Sequence, residues 1–369
     1  MIRLELSQFA QAIPLFAEMA EWNVYITAVL QQKSPGRVYV DNLAAPRSGF
    51  LLSLDRGYLV GDPHNDAFNA ALHDELHATL LAGDPINKED PRLVLDLDSP
   101  DWEPVIADIL ADWRWPPIWG SHQHYRFAAL QVDWEDLLPA GYRIVHLDFA
   151  LLAENGMRLP KHIVDSIRLG WENEANFIEN GFGLAVLFDD EMVSWCLAGV
   201  TVDGACEIGI ETLPTFRGLG LATAVTAATI AKYSQMGYHH IGWHCEATNR
   251  ASIKIAEKVG FVLERPYNDY SFYYNEPRHY AELGRLYFYE AQMYEEAASM
   301  LEIAIEVDDT PPAYVYFLAA RALAHLQEPE ALDYLLEAID AGFQDWRLLQ
   351  ALPEFSTYRS NPDFPKEGL

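Results

Sequence analysis

The sequence predicts an α/β (α+β) fold with a mixed central sheet, preceded by a further α/β domain and followed by an all-α segment. Two observations lead to this prediction. Between residues 142 and 274, short apolar runs with a period of two alternate with longer helical patterns in the order β-α-β-β-β-α-β-α-β-β. Near the carboxyl end, strand patterns give way to helical ones in which small residues recur every 34 positions. We therefore expect three units, at residues 1–140, 141–276 and 277–369.

The composition describes a globular chain with a strong acidic excess. It has 369 residues, 50% of them hydrophobic, which is enough for two or three packed cores. With 25 basic and 55 acidic residues, the formal net charge is −30. Nucleic-acid binding requires basic surfaces that neutralise phosphates, so this charge argues against it. An acidic surface favours cationic substrates such as amines, although the same excess can serve solubility alone.

Cysteine usage and hydrophobicity predict a cytoplasmic protein that does not enter membranes. The three cysteines form no C-x-x-C pair, so neither a disulfide framework nor a structural zinc site is indicated. No stretch reaches the roughly 18 apolar residues of a membrane span, and residues 1–20 lack the apolar core of a signal peptide. The pairs His122-x-His124 and His239-His240 lack a third ligand at the spacing of zinc sites, so no metal is expected.

The individual elements follow from period and turn residues. In the first unit we expect strands over 37–43, 49–54, 58–60, 92–96 and 126–132, and a helix over 65–81. In the second we expect strands over 143–147, 182–188, 192–201, 206–211, 240–246, 261–264 and 270–274, helices over 160–180, 217–236 and 249–259, and a turn over 151–156. In the third we expect helices over 280–290, 294–307, 312–326 and 329–341. The first unit carries no catalytic motif.

The most informative stretch runs from Glu207 to Ala222, where a predicted strand leads through glycines into a helix. Backbone N–H groups at a helix amino terminus, together with the positive end of the helix dipole, form an anion site. No G-K-[ST] sequence follows, which excludes a nucleotide-triphosphate loop, and Gly218 and Gly220 lack the third glycine of a dinucleotide fingerprint. What remains is the pattern R-x-x-G-x-A at residues 217–222.

This pattern resembles the acyl-CoA loop of the GNAT superfamily of N-acyltransferases, [QR]-x-x-G-x-[GA]. A second pattern, Asn249-x-x-Ser252 followed by K-x-G-F ending at Phe261, resembles the signature after the fifth strand of that superfamily. The element order over about 130 residues is similar to the GNAT fold, and the β-β-α-β order of the first unit resembles half of a degenerate GNAT unit. Trp243 and Cys245, with a later Y-x-x-Y, look similar to the subfamily named after zwittermicin-resistance acetyltransferases.

The resemblance implies acetyl-CoA as the cosubstrate. In this superfamily the amides of the glycine loop hold the pyrophosphate, and the Asn and Ser of the second pattern reach the pantetheine. An amide at the end of the fourth strand meets the oxyanion, here Thr212 or Leu213, where Pro214 ends the strand. The residues implied in acetyl-CoA binding are Thr212, Leu213, Arg217, Gly218, Leu219, Gly220, Leu221, Ala222, Asn249 and Ser252.

Acyl transfer to an amine also requires a base for the amine and an acid for the leaving thiolate. Glu207 and Glu211 share one strand face, and the resemblance favours Glu207 as the base with Glu211 next; the alternative is that both glutamates lie on a solvated face. The tyrosine that many superfamily members carry as the acid would fall at Ala256, so it is missing. We place Tyr270 in that role, with these alternatives: Tyr273, Tyr274, His244 and Cys245.

The last unit carries a repeat. Ala297 and Ala331 are 34 residues apart, as are Ala304 and Ala338, and this period is typical of tetratricopeptide (TPR) repeats. Two repeats are few for independent stability, so we expect this unit to pack on the acyltransferase, to bind a protein partner or to self-associate.

The sequence as a whole predicts an acetyl-CoA-dependent N-acetyltransferase. It would transfer the acyl group to a primary amine of a small soluble substrate by direct attack in a ternary complex. The alternative is a catalytically weak CoA-binding scaffold that recruits a protein partner through its TPR-like repeats. The missing tyrosine and the repeats favour the scaffold, whereas the complete donor loop and Asn249 favour the enzyme.

Overall fold

A computed structural model of the protein describes residues 1–53, 56–81, 92–113, 115, 117–147, 163, 167, 171, 174–362 and 364–365. The described residues form two compact units, Met1–Ser271 and Phe272–Leu369. Residues 1–140 and most of residues 141–276 lie together in the first unit, and their division into two domains stays a prediction.

Twelve described strands form one mixed sheet. They are β1 (Ile2–Arg3), β2 (Arg37–Val40), β3 (Ser48–Ser53), β4 (Arg56–Gly61), β5 (Arg92–Leu97), β6 (Ile118–Phe127), β7 (Tyr142–His146), β8 (Gly183–Phe188), β9 (Glu191–Val202), β10 (Ala205–Thr212), β11 (His240–Glu246) and β12 (Phe261–Tyr273). Their spatial order is β1-β2-β3-β4-β5-β12-β6-β11-β10-β9-β8-β7. The pairs β4/β5 and β10/β11 are parallel, whereas β6 is antiparallel to both β11 and β12. The predicted mixed sheet is confirmed.

Helices accompany the sheet and make up the second unit. Those of the first unit are α1 (Ile13–Ala20), α2 (Val24–Leu30), α3 (Asp66–Leu81), α4 (Trp102–Ile109), α5 (Trp134–Leu137), α6 (Glu174–Asn180), α7 (Leu221–Gln235) and α8 (Arg250–Val259). Those of the second unit are α9 (Glu276–Leu286), α10 (Tyr294–Glu306), α11 (Ala313–Leu326), α12 (Ala331–Asp340) and α13 (Trp346–Ala351). Among the described residues, no helix combines the length and the apolar character that crossing a bilayer requires.

The middle of the sheet contains an exchange of strands between the two halves of the first unit. β6 follows the amino-terminal elements along the chain, yet it pairs with β11 of the carboxyl-terminal half. β12 ends the carboxyl-terminal half, yet it lies between β5 and β6. Each half therefore places its last strand beside elements of the other, and one continuous sheet results.

This exchange corrects the prediction of two closing strands. Residues 261–264 and 270–274 were expected to form separate strands, and Pro266 lies between them. The structure has a single strand, β12, which pairs with β6 from Phe261↔Phe127 to Ser271↔Ile118. A register shift between Leu263 and Arg265 absorbs the irregularity. A long partner strand from the other half therefore holds residues that show no strand pattern of their own.

The prediction of a strand over 126–132 is wrong, because β6 ends at Phe127. β6 includes Gly120 and a polar run from His122 to His124, so its apolar alternation is weak. Four helices of the first unit, α1, α2, α4 and α5, were not predicted. α2 buries five of its seven residues and so shows no amphipathic period in the sequence.

Elsewhere the predicted elements agree with the structure. The strand over 240–246 matches β11 residue for residue, and the helix over 217–236 corresponds to α7, which begins after the glycine loop. The predicted turn over 151–156 and most of the predicted helix over 160–180 lie outside the described residues. The described carboxyl-terminal part of that predicted helix forms α6.

In the second unit α9 with α10 and α11 with α12 form two successive helix pairs. Both pairs of alanines at the 34-residue spacing are buried. Ala297 and Ala331 are 0% exposed, and Ala304 and Ala338 are 2% and 0% exposed. Small residues therefore lie at equivalent packing positions of the two helix pairs, and their assignment to TPR repeats stays a prediction.

Candidate active site

β10 and β11 separate partway along their length. Their parallel register runs from Ala205↔His240 to Glu207↔Gly242 and goes no further. A bulge between Glu207 and Ile208 accompanies the separation, while β10 continues beside β9 as far as Thr212. A gap therefore opens between the carboxyl-terminal parts of two parallel strands, which is where ligands bind in many α/β sheets.

The predicted glycine loop leads from this gap into α7. Gly218 and Gly220 have φ angles of +75° and +83°, in the left-handed region that favours glycine, and Gly220 is the N-cap of α7. A Cβ atom built on Gly218 would meet no atom within 4 Å. The loop therefore faces open space beside the first turn of α7, whose amides have no partner within the helix, and these features fit a bound pyrophosphate.

Only some of the backbone N–H groups at the end of β10 point into the gap. The N–H of Leu213 donates to the carbonyl of Val193 on β9 at 2.9 Å, so Leu213 cannot be the predicted oxyanion donor. In an antiparallel pair, alternate residues direct their N–H groups to opposite neighbours. The amides of Thr212 and Ile210 consequently point away from β9 and towards the gap, and Ile210 is a candidate that the sequence did not suggest.

Asn249 and Ser252 lie where β11 leads into α8. The Asn249 Oδ1 accepts the Ser252 N–H at 3.0 Å and caps the helix. The Ser252 hydroxyl accepts the indole N–H of Trp243 at 3.0 Å. The residues of the second sequence pattern thus fix the junction at the end of the gap, and Asn249 also lines a neighbouring cavity.

A cavity of about 440 Å³ lies between the two halves of the first unit, at the end of β11. Both halves contribute polar side chains to its wall, among them Tyr25, Arg56, Tyr58, His244, Asn249 and Tyr267. The strand exchange produces this composition, because it brings β12 and β6 between the amino-terminal strands and β11.

A line of three polar side chains runs from the interior to this cavity. Glu207 is only 4% exposed, and its Oε1 lies 3.5 Å from the Nε2 of His244 and 3.4 Å from the backbone N–H of Val24. The Nδ1 of His244 lies 2.9 Å from the hydroxyl of Tyr267. With the imidazole proton on Nε2 facing Glu207, the Tyr267 hydroxyl donates to Nδ1.

The electrostatics of this line favour a charged glutamate and a neutral tyrosine. Burial raises the pKa of Glu207, but the interaction with His244 and the hydrogen bond from the Val24 N–H outweigh it, and the net pKa is lowered. Burial and the nearby Asp96 raise the pKa of Tyr267 well above its ordinary value. Glu207 is therefore a carboxylate at neutral pH, and Tyr267 keeps its proton.

A family model described as GNAT acetyltransferase matches residues 14–270. The chain belongs to this GNAT acetyltransferase family. A curated relative, the uncharacterized N-acetyltransferase YdfB of Bacillus subtilis (strain 168), is 28% identical over 260 residues, which cover 68% of this chain and 90% of that protein. A GCN5-related N-acetyltransferase-like protein from Streptococcus suis 89/1591 has a similar fold, with a TM-score of 0.53 at 22% identity over 72% of this chain and 98% of its own. The GNAT chain is accordingly an acyltransferase.

Two predicted catalytic residues of this GNAT chain lie apart from the line. Burial and a hydrogen bond to Glu103 of α4 raise the pKa of Tyr270 to about 12, so its hydroxyl is held on α4. Tyr267, three positions earlier, faces the opposite side of β12 and reaches His244 instead. Glu211 is exposed on β10. The sequence Tyr267-x-x-Tyr270 could have indicated Tyr267 as an alternative to Tyr270, since residues three apart on a strand face opposite sides.

Gly242 provides the room for the Glu207 carboxylate, because a Cβ at this position would collide with both carboxylate oxygens. Gly242→Ala is expected to displace Glu207 from His244 and to cost about 1–3 kcal/mol of stability. A Cβ at Gly209 on β10 would meet no atom within 4 Å, so Gly209→Ala is the matched control. Thermal midpoints of both variants test this, and equal midpoints would contradict the packing described for Glu207.

Two histidines of β6, one buried and one partly buried, are expected to make the GNAT unit sensitive to acid. Burial, together with Arg56, lowers the pKa of His122 to about 4, and burial together with His244 lowers that of His124 to about 4. The unfolded chain has the ordinary value of about 6.5. Both side chains are therefore neutral when folded, and unfolding takes up protons below about pH 6.5. Above about pH 6.5 the two histidines do not change the free energy of unfolding with pH. Between about pH 6.5 and about pH 4 they lower it progressively as the pH falls.

Denaturant unfolding at several pH values measures this loss. The double variant His122→Asn/His124→Asn is expected to lose less stability than the parent over the same pH interval, because neither asparagine can take up a proton. An identical pH dependence in parent and double variant would show that the two histidines do not cause it.

Proposed function

We propose that this protein is an acetyl-CoA-dependent N-acetyltransferase that acetylates a primary amine of a small soluble compound by direct attack in a ternary complex. One observation carries the proposal: the line Glu207, His244 and Tyr267 ends at a cavity beside the gap between β10 and β11. This arrangement supports direct transfer, which requires a base close to the bound donor.

The donor side rests on the loop and the gap. The amides of the first turn of α7 would hold the pyrophosphate, with Arg217 adding positive charge. The amides of Ile210 and Thr212 would pair with the pantetheine as a neighbouring strand would, and one of them would meet the oxyanion. Acetyl-CoA supplies the activated acetyl thioester, and the amides position it.

The acceptor side must remove a proton, because an amine with a pKa near 10 is mostly protonated at pH 7. The ammonium gives its proton to the Tyr267 hydroxyl as the tyrosine proton passes to His244 Nδ1. Glu207 then faces an imidazolium at Nε2 and stabilises it, as the carboxylate does in a Ser-His-Asp triad. The second proton, released when the amide forms, goes to the departing thiolate.

The charge around the cavity supports a cationic acceptor. Arg56 NH1 lies 2.7 Å from Asp96 Oδ1, and Arg56 NH2 lies 3.9 Å from Asp269 Oδ2. One guanidinium thus faces two buried carboxylates, and Glu207 adds a third negative charge beside His244. An ammonium substrate would balance this excess.

Thiol release from acetyl-CoA against a panel of primary amines tests the function. Release that depends on the amine, with acetylated amine as the product and intersecting initial-velocity lines, is expected for direct transfer in a ternary complex. A thermal shift with acetyl-CoA but no release with any amine would favour the scaffold. No shift and no release would refute acetyl-CoA as the donor.

A further inference from the structure

The amino-terminal half of the first unit contains a second cluster of metal-binding side chains. Among the described residues, two groups of three histidines and carboxylates bring their donor atoms within 4.8 Å of one another. One is His124 with Glu207 and His244, which belongs to the candidate active site. The other is His73, His77 and Asp112, and neither the GNAT reaction nor the cavity uses it.

The helical spacing explains how two of these side chains meet. His73 and His77 are four residues apart on α3, one turn of helix, so their rings extend from the same face. The ring centroids are 4.2 Å apart. Asp112 comes from the turn after α4 and approaches both rings.

The distances suit a single small cation. Two ligand atoms bound at about 2.0–2.1 Å to one tetrahedral zinc ion lie about 3.3 Å apart. The Oδ1 of Asp112 lies 3.6 Å from the Nε2 of His73 and 3.0 Å from the Nε2 of His77. The His77 Nε2 is buried and makes no hydrogen bond of acceptable geometry within the described part of the chain. With the ring proton on Nδ1, this nitrogen can direct a lone pair into the space that the three side chains share.

A neighbouring carboxylate orients one of the ligands. The Nδ1 of His73 lies 3.1 Å from Asp74 Oδ1, so Asp74 can accept its N–H and leave the Nε2 lone pair facing Asp112 and His77. Histidines that bind metals usually donate their second ring nitrogen to a carboxylate or carbonyl in this way. The arrangement is that of a ligand set with its supporting contact.

We propose that His73, His77 and Asp112 bind one Zn²⁺ ion, which links α3 to the segment after α4. Two imidazoles and one carboxylate are ligands that zinc accepts, and three protein ligands leave a fourth position for water. The side chain of Asp112 is 69% exposed and that of His73 is 38% exposed, so the ion can enter from solvent. The site stabilises the amino-terminal half of the unit, because the ion binds the folded arrangement only.

Metal titration of the full-length protein, without a histidine tag and after chelator treatment, tests the site. Co²⁺ reports tetrahedral coordination through its visible absorption, and Zn²⁺ should displace it at one equivalent. Zn²⁺ should also raise the thermal midpoint. Binding should weaken as the pH is lowered, because the imidazoles must be neutral to bind the ion.

The variants separate this site from the other histidines. His77→Gln and Asp112→Asn should each weaken Zn²⁺ binding by at least about 100-fold, and Asp74→Asn by about tenfold. His64→Gln, an exposed histidine just before α3, is the matched control and should bind as the parent does.

Two results would overturn the proposal. One is parent protein that binds Co²⁺ and Zn²⁺ no more tightly than His77→Gln does. The other is binding that survives His77→Gln and Asp112→Asn but disappears in His244→Gln, since the ion would then lie in the candidate active site.

Discussion

Glu207→Gln is expected to lower kcat/KM for the amine by at least about 100-fold, the usual range for loss of a general base system, while acetyl-CoA binding is unchanged. Glutamine keeps the shape of the buried side chain but carries no charge. The imidazolium of His244 then loses the carboxylate that lies 3.5 Å away. Thiol-release kinetics with varied amine measure the first effect, and the thermal shift with acetyl-CoA measures the second.

Two comparisons make this result specific. Glu211→Gln should lose less than about tenfold, because Glu211 is exposed on β10 rather than buried beside His244. A larger loss at Glu211 than at Glu207 would indicate that Glu211, and not the line of Glu207, His244 and Tyr267, takes up the proton of the amine. His244→Gln should resemble Glu207→Gln, and the double variant should be little worse than either, since the two residues act on the same proton.

Gly220→Glu is expected to abolish the thermal shift with acetyl-CoA and to weaken its binding by about 100-fold or more. The substitution brings a carboxylate to the first turn of α7, where the pyrophosphate would bind. Two like unit charges about 4 Å apart near a protein surface repel by about 4 kcal/mol. Isothermal titration with acetyl-CoA gives the change in affinity directly.

Gly237→Glu controls for backbone strain. Gly237 lies just beyond the other end of α7 with a φ of +90°, close to the +83° of Gly220, and a Cβ there meets no atom within 4 Å. Both variants therefore bear a similar cost for a non-glycine residue in the left-handed region. Equal loss of acetyl-CoA binding in the two would indicate general damage to α7 and would contradict the loop as the donor site.

The donor loop could be predicted from the sequence because all of its determinants are local. Gly218 and Gly220, the end of β10 and the start of α7 lie close together in the chain, so the pattern alone specifies the turn. The orientation of the Leu213 amide could not be predicted. It depends on the pairing of β10 with β9, which determines which N–H groups remain for the gap.

The acceptor side depends on contacts that no local pattern records. His244 and Tyr267 lie on β11 and β12, which are not neighbours, and β6 between them brings their side chains together. The polar sequence of β6 gives no clear strand pattern, so the position of β6 between β11 and β12 could not be predicted. The contact between His244 and Tyr267 could therefore not be predicted either. Tyr270 was predicted as the acid from its residue type and its place in the last strand, and its hydrogen bond to Glu103 depends on where α4 packs.

The exchanged strands also bear on how the chain reaches its native state. β6 and β12 pair although Phe127 and Phe261 are 134 positions apart in the sequence, so a long loop must close before the centre of the sheet can form. Folds dominated by such distant pairings fold slowly. Until the loop closes, β11 has an open edge that can recruit a strand from another molecule. A fragment without the amino-terminal half would keep that edge open permanently, so we expect such a fragment to associate through β11.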